Sequence, residues 1–295
     1  MHRILGSILP IAGLLLVGAA AAQAQIAAYA VTTNAQGVQQ LVQFSPNAPG
    51  SVTTLGPTGV RLTGIDFRPL TNQLYGYDGD KLYTINRNTG LATFAFDVGN
   101  ATGNVGLDFN PTVDRIRLVN ASGTNLRLNP ITGGTTVDMP YSYAMGDANF
   151  GRTPAFTSVA YTNSDNDPNT GTTLFGIDVN LGSLVRITSP NGGAINTVGS
   201  LGLGAFSSLV GFDIITMGGV NTGFFTATRM GGATSWLYSV DLNSGAATVV
   251  NELGVSTTLE GLALTAVPEP GTWALMAVGL AGLGVVARRR QHIRA

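Results

Sequence analysis

The stretch Gly64-Ile65-Asp66-Phe67-Arg68-Pro69 recurs almost unchanged as Gly106-Leu107-Asp108-Phe109-Asn110-Pro111, and this duplication decides the fold. A degraded copy reads Gly211-Phe212-Asp213-Ile214, and weaker ones read Ser158-Val159-Ala160-Tyr161 and Gly261-Leu262-Ala263-Leu264. A second element, Leu82-Tyr83-Thr84-Ile85-Asn86-Arg87-Asn88-Thr89-Gly90, returns at Leu126–Gly133, Leu174–Gly182 and Leu237–Gly245. Its alternating apolar and polar residues make a half-buried strand. The Asx residue then bonds local backbone and the glycine supplies positive φ, so the chain turns into a following strand. The Asx anchors fall at 86, 129, 178 and 241. The first spacing, about 43 residues, lies in the range of four-stranded propeller repeats, and the longer ones need loop insertions.

Working outward, the body divides into five units, 26–57, 60–99, 103–139, 155–200 and 208–254. Each supplies about four short antiparallel strands, and none shows a sustained helical period. A lone sheet of this size cannot bury both faces, whereas stacking sheets around an axis does so and leaves only short edges. The first unit lacks an innermost strand, and Leu259–Thr265 is a spare strand without a unit. Circular closure resolves both, because the last strand completes the first sheet. The expectation is an all-β chain, a five-bladed β-propeller closed by its C-terminal strand. Six or seven blades remain open if 138–157 or 190–209 hides a degraded one.

The run Leu118-Val119-Asn120-Ala121-Ser122-Gly123-Thr124-Asn125-Leu126-Arg127-Leu128-Asn129-Pro130, taken with Gly106–Pro111, resembles a bacterial domain-of-unknown-function family described as propeller-like. The resemblance spans most of the body and supports the fold. That family has no assigned activity, so no functional residues transfer.

The chain ends carry addresses. His2 and Arg3 precede an apolar run, Ile4–Ala22, and Ala22-Gln23-Ala24 is a small-x-small cleavage site, so residues 1–24 read as a secretory signal peptide. At the other end, Pro268-Glu269-Pro270 is a rigid extended element, since each proline fixes φ. The charge-free run 271–287 is long enough as a helix to cross the hydrocarbon layer. Arg288, Arg289 and Arg290 close the unit and stay cytoplasmic by the positive-inside rule. This tripartite tail, 267–295, resembles the PEP-CTERM sorting signal of Gram-negative bacteria. The resemblance implies processing by an exosortase-type protease, transient membrane anchoring through the C-terminal helix, and delivery to the cell surface or matrix.

Between the addresses, residues 25–266 form one propeller domain with 10 Lys and Arg against 15 Asp and Glu. A mildly acidic body without a basic stripe argues against nucleic acid as a partner. The chain has no cysteine, so export brings no disulfide framework. Both histidines, His2 and His292, lie in the end segments. The body therefore lacks Ser-His-Asp and Cys-His chemistry and any histidine metal ligand.

Four groups remain as candidates. In Asn163–Gly171 the oxygens of Asp165, Asp167 and Asn169 have the alternating spacing that lets a loop wrap Ca²⁺, the one cofactor considered, although a bidentate closing acid is missing. The alternative is a hairpin loop rich in Asx turns. Asp66, Asp108 and Asp213 occupy one slot in three inner strands, with Ala160 and Ala263 in the other two. These carboxylates either attract a cation into a shared channel or accept backbone hydrogen bonds that hold blades together, and the second is favoured. Glu260, Asp78 and Asp80 leave carboxylate-pair catalysis formally open, but Tyr77-Asp78-Gly79-Asp80 reads better as a tight hairpin turn. Tyr141, Tyr143 and Phe150 either stack on sugar rings or cap the core beneath a loop.

The resulting expectation is a non-enzymatic surface or matrix protein, a propeller that binds exopolysaccharide or a surface protein through rim loops, or that fills the biofilm matrix structurally. The alternative is a secreted, aspartate-dependent glycan hydrolase or lyase assisted by calcium.

Overall fold

The four Asx turns form as their sequences require. The side chains of Asn86, Asn129, Asp178 and Asp241 accept the amides of Asn88, Ile131, Asn180 and Asn243 at 2.7–3.0 Å. Gly90 is needed twice over: its φ is +78°, and a Cβ there would stand 2.4 Å from the carbonyl oxygen of Gly56 on the preceding sheet. In this computed structural model the described residues are 25–267, except 168, 205 and 255–257, together with Gly279. The signal peptide with Ala22 and Ala24, the motif Pro268–Pro270, Arg288–Arg290 and, Gly279 apart, the apolar run 271–287 lie outside them. Among the described residues no helix is long and apolar enough to cross a membrane.

Among the described residues of 25–267 every regular element is a strand. Strands β1 (Gln25–Thr33), β2 (Gln39–Ser45) and β3 (Ala48–Pro57) begin the first blade. The second contains β4 (Gly64–Arg68), β5 (Gln73–Tyr77), β6 (Lys81–Ile85) and β7 (Ala92–Asp97). The third contains β8 (Val105–Asn110), β9 (Arg115–Asn120), β10 (Asn125–Leu128) and β11 (Thr135–Val137). The fourth contains β12 (Ser142–Tyr143), β13 (Phe156–Tyr161), β14 (Leu174–Asp178), β15 (Ser183–Ser189) and β16 (Ala194–Ser200). The fifth contains β17 (Phe206–Met217), β18 (Val220–Arg229), β19 (Ser235–Val240) and β20 (Ala247–Glu252). The last strand, β21 (Leu259–Val267), joins the first sheet beside β1, giving the order β21-β1-β2-β3.

The five-bladed reading and its closure by the spare strand hold, and the six- and seven-bladed alternatives fall. Apart from the first two residues of β13, residues 138–157 supply only β12, which pairs in parallel with β16 at the rim of blade four. Residues 190–200 complete the β15–β16 hairpin. Tyr141 and Tyr143 are buried against blade four, so they cap the core, and Phe150 alone of that trio is exposed.

The inner strands β4, β8, β13, β17 and β21 touch in that cyclic order, and β21 returns to β4. Period-2 alternation gives each blade two apolar faces. Five core clusters result, one at each blade junction, for example Leu107, Phe109, Ile116 and Leu118 with Tyr75 and Leu82 between blades two and three. At the glycines that head the repeated element the inner strands approach nearly backbone to backbone. A Cβ on Gly106 would lie 2.7 Å from the Ser158 backbone, and one on Gly211 would lie 2.4 Å from that of Gly261.

Candidate functional site

The repeated Gly-x-Asp places three carboxylates at one level of the axis. Each reaches forward to the next blade present in the ring. Asp66 Oδ2 accepts the Phe109 amide at 2.8 Å, Asp108 Oδ1 accepts that of Tyr161 at 3.1 Å, and Asp213 Oδ2 accepts that of Leu264 at 2.5 Å. Every donor lies one residue past the equivalent slot on the neighbouring strand. Two blades have alanine in that slot, so the amides of Ile214 and Phe67 receive nothing from behind. Asp213 Oδ1 takes the Ile214 amide of its own blade at 2.6 Å, and the Phe67 amide beside Asp66 favours the ionised form of that carboxyl. Four inner-strand amides thus end on three carboxylates.

The three side chains are buried, and one oxygen of each lies within 4.8 Å of the others. Burial pushes Asp66 and Asp108 well above the usual carboxylate range, and the neighbouring acids add to it: Asp213 for Asp66, and Asp66 then Asp213 for Asp108. Asp213 is raised to about 6 by burial, with its two backbone donors opposing. The triad titrates as one unit. It is also the one acid group among the described residues whose oxygens are close enough to share a cation.

Above it opens a cavity of about 290 Å³ lined also by Asn72, Ser164, Asp165 and Thr216. The loop after β13 reaches over this mouth because Asn163 and Asn221 exchange two 2.8 Å hydrogen bonds and Ser164 Oγ donates to the Ile214 carbonyl at 3.1 Å. Of the proposed calcium loop, Asp165 lines the cavity. Asp167 and Asn169 are exposed, and successive Asx bonds of 2.9 Å run from the Asp167 amide to Asp165 and from the Asn169 amide to Asp167.

Sequence reasoning missed a second cavity on the same face. It occupies about 570 Å³ between blades three and four and is lined by Asn110, Arg115, Arg117, Arg127, Tyr161 and the Thr188–Asn191 turn. Arg117 pairs across the sheet with Asp108 on one side and Arg127 on the other, which puts all three on one face of blade three. Arg117 is buried, bonding Asp138 at 2.6 Å, Asn125 at 2.7 Å and Asn191 at 2.7 Å. The Arg115-x-Arg117 alternation was the available signal, since residues two apart on a strand share a face.

The remaining candidates have structural employment. Asp78 Oδ1 accepts the Lys81 amide at 2.9 Å in the Asp-Gly turn, Lys81 pairs with Asp80 at 2.6 Å, and Glu260 pairs with Arg61 at 2.9 Å.

Residues 40–263 match the family described as a domain of unknown function, DUF4394. The chain belongs to that family. The DUF4394 body is followed by a PEP-CTERM protein-sorting motif matched over 266–290, which marks the chain for export, transient membrane anchoring and exosortase processing, ending at the cell surface. None of the curated proteins matches it. Among solved structures, a nidogen/laminin complex chain is similar at 11% identity, covering 81% of this chain and 98% of that one, with a TM-score of 0.47. A Bacteroides thetaiotaomicron structural-genomics protein of unknown function is similar at 15% identity, covering 83% of this chain and 65% of that one, with a TM-score of 0.49.

Proposed function

We propose that this exported propeller is a non-enzymatic binding protein of the cell surface or extracellular matrix, and that its partner is extracellular polysaccharide. One observation carries the reading. The acid triad on the axis accepts backbone amides, while on the same face, between blades three and four, a wide cavity opens that is lined by hydroxyl, amide and guanidinium groups. Polar groups converging in an open cleft suit recognition of a polyhydroxylated ligand. The body offers no histidine or cysteine to activate a nucleophile. The test is co-sedimentation of the full-length protein with native exopolysaccharide and with cell-surface fractions. Retention by the polysaccharide supports the reading, and failure to be retained by either sinks it.

The alternative is an aspartate-dependent glycan hydrolase or lyase assisted by calcium. It draws on the proton-holding triad beneath the axial cavity and on the oxygens of Asp165, Asp167 and Asn169. Turnover across a glycan panel, dependent on calcium and lost on Asp→Asn change at 66, 108 or 213, would establish it in place of the first reading.

A further inference from the structure

The cavity between blades three and four holds more positive charge than the groups around it can balance. Arg115, Arg117 and Arg127 all line it. Asp138 is the one carboxylate paired there among the described residues, bonded by Arg117 Nη1 at 2.6 Å and by Arg127 Nε at 2.7 Å. Burial works against its ionisation, yet the hydrogen bonds from Arg127 and Arg117 hold its pKa below the usual range, so it carries a full negative charge at neutral pH. Three guanidinium groups therefore face one ionised carboxylate in a domain of negative net charge, since burial pushes Asp108, across the strand from Arg117, toward its neutral form.

Donors are also left over. Arg115 donates through Nη1 to the carbonyls of Val113 and Asp114, at 3.3 and 2.8 Å, and forms no ion pair among the described residues. Arg127 uses Nε and Nη2 on Asp138, leaving Nη1. Arg117 interacts electrostatically with the Tyr161 hydroxyl, but its buried Nε makes no hydrogen bond of acceptable geometry. A buried donor without an acceptor and an unbalanced cation both carry a free-energy cost that an anion entering the cavity removes.

We infer that this cavity binds the carboxylate of an acidic sugar, so that the polymer recognised is a polyuronate. The inference rests on the polysaccharide-binding reading and specifies its ligand class. A planar carboxylate matches the forked donors of arginine. The Thr188 and Ser189 hydroxyls and the Asn110 and Asn191 amides, also in the lining, suit sugar hydroxyls. A volume of about 570 Å³ has room for a sugar unit.

The test is calorimetric titration of the full-length protein with a galacturonic acid hexamer and, separately, with a glucose hexamer. Expected are binding of the uronate alone, weakening with added salt, and an affinity at least about fivefold lower in Arg115→Gln. An Arg152→Gln control on the exposed surface should leave affinity unchanged. Arg115 is chosen because it pairs with no carboxylate, whereas Arg117→Gln risks the fold. Equal binding of both hexamers, or an Arg115→Gln variant with undiminished uronate affinity, overturns the inference. Binding of native exopolysaccharide with no uronate binding also overturns it while leaving the polysaccharide reading intact. Loss of both removes the two together.

Discussion

Asp213 Oδ2 accepts the amide of Leu264 at 2.5 Å, tying the last full blade to the strand that closes the ring. The bond spans two blades, because β21 belongs to the sheet begun by β1. Closure therefore uses the β21–β1 ladder, this carboxylate clasp and the 2.9 Å bond from the Leu259 amide to Ser235 Oγ of blade five. Asp213 also serves the Ile214 amide, whereas Asp108 serves only that of Tyr161.

Removing the clasp should loosen the ring in proportion to the donors orphaned. Asp213→Ala frees two buried amides and is expected to cost about 2–4 kcal/mol, with Asp108→Ala costing roughly half as much. Urea unfolding in mildly acid buffer, where protons already relieve repulsion within the triad, measures both. Equal losses, or none for Asp213→Ala, would show that the clasp contributes little.

Stability should fall as pH rises through the acid range. The folded pKa of Asp213 is about 6, above the unfolded value near 3.9, so its contribution is complete below about pH 4 and lost by about pH 6. The loss from this group alone is on the order of 3 kcal/mol. Asp66 and Asp108, also raised, extend the decline in the same direction toward neutral pH. Asp138 and Asp147 have lowered pKa values, so their stability is lost on the other side, as pH falls below the ordinary aspartate range. The window from about 4 to 6 isolates the triad. Thermal midpoints taken across it should drop, and Asp66→Asn should flatten the slope. A midpoint that rises through that window contradicts the assignment.

Much of this architecture was legible in the chain because each repeat states its own local physics. Asn86-x-x-Thr89-Gly90 specifies a turn without reference to anything distant, and all four copies formed. The closing role of β21 was legible by elimination, since a sheet without an inner strand and an inner strand without a sheet imply each other. The sharing of four amides among three carboxylates was not legible. It depends on inter-blade register, which no local pattern encodes, although the alanines at 160 and 263 in the same slot could be read from the repeat. The arginine cavity was hidden for a related reason: Arg127 joins Arg115 and Arg117 only after β9 and β10 pair.

The glycine heading the first repeated element should be irreplaceable where strands meet backbone to backbone. Gly106→Ala and Gly211→Ala each push a methyl to within 2.4–2.7 Å of the next inner strand's main chain. Main chain cannot rotate away as a side chain does, so a loss of about 3 kcal/mol or more is expected. Gly50→Ala, with nothing within 4 Å, is the control and should shift the unfolding midpoint little. Matching behaviour of all three variants would mean that the axis relaxes freely.

Arg68 and Asp114 join blades two and three by two parallel bonds of 2.8 and 2.5 Å. Arg68→Ala should cost about 1–3 kcal/mol, and Arg68→Lys should recover less than half, because an ammonium cannot reproduce the fork. A double-mutant cycle with Asp114→Ala separates the pairing from packing. A lysine variant as stable as the parent would assign the effect to charge alone.

Processing should depend on the Pro-Glu-Pro element, and anchoring on the apolar run and the arginines behind it. Glu269→Gln leaves the charge-free run 271–287 and Arg288–Arg290 unchanged, so membrane insertion and its orientation persist. If the exosortase reads the Pro-Glu-Pro element within the motif matched over 266–290, the variant should accumulate uncleaved in the membrane fraction, its surface-delivered form reduced at least about tenfold. Replacing Arg288, Arg289 and Arg290 by Gln instead removes the charges that hold the C-terminal end in the cytoplasm. That variant should reach the medium with its tail intact. Fractionation with an antibody to the propeller body distinguishes the two defects. Identical distributions for both variants would mean that the acid and the arginines do not act at separate steps.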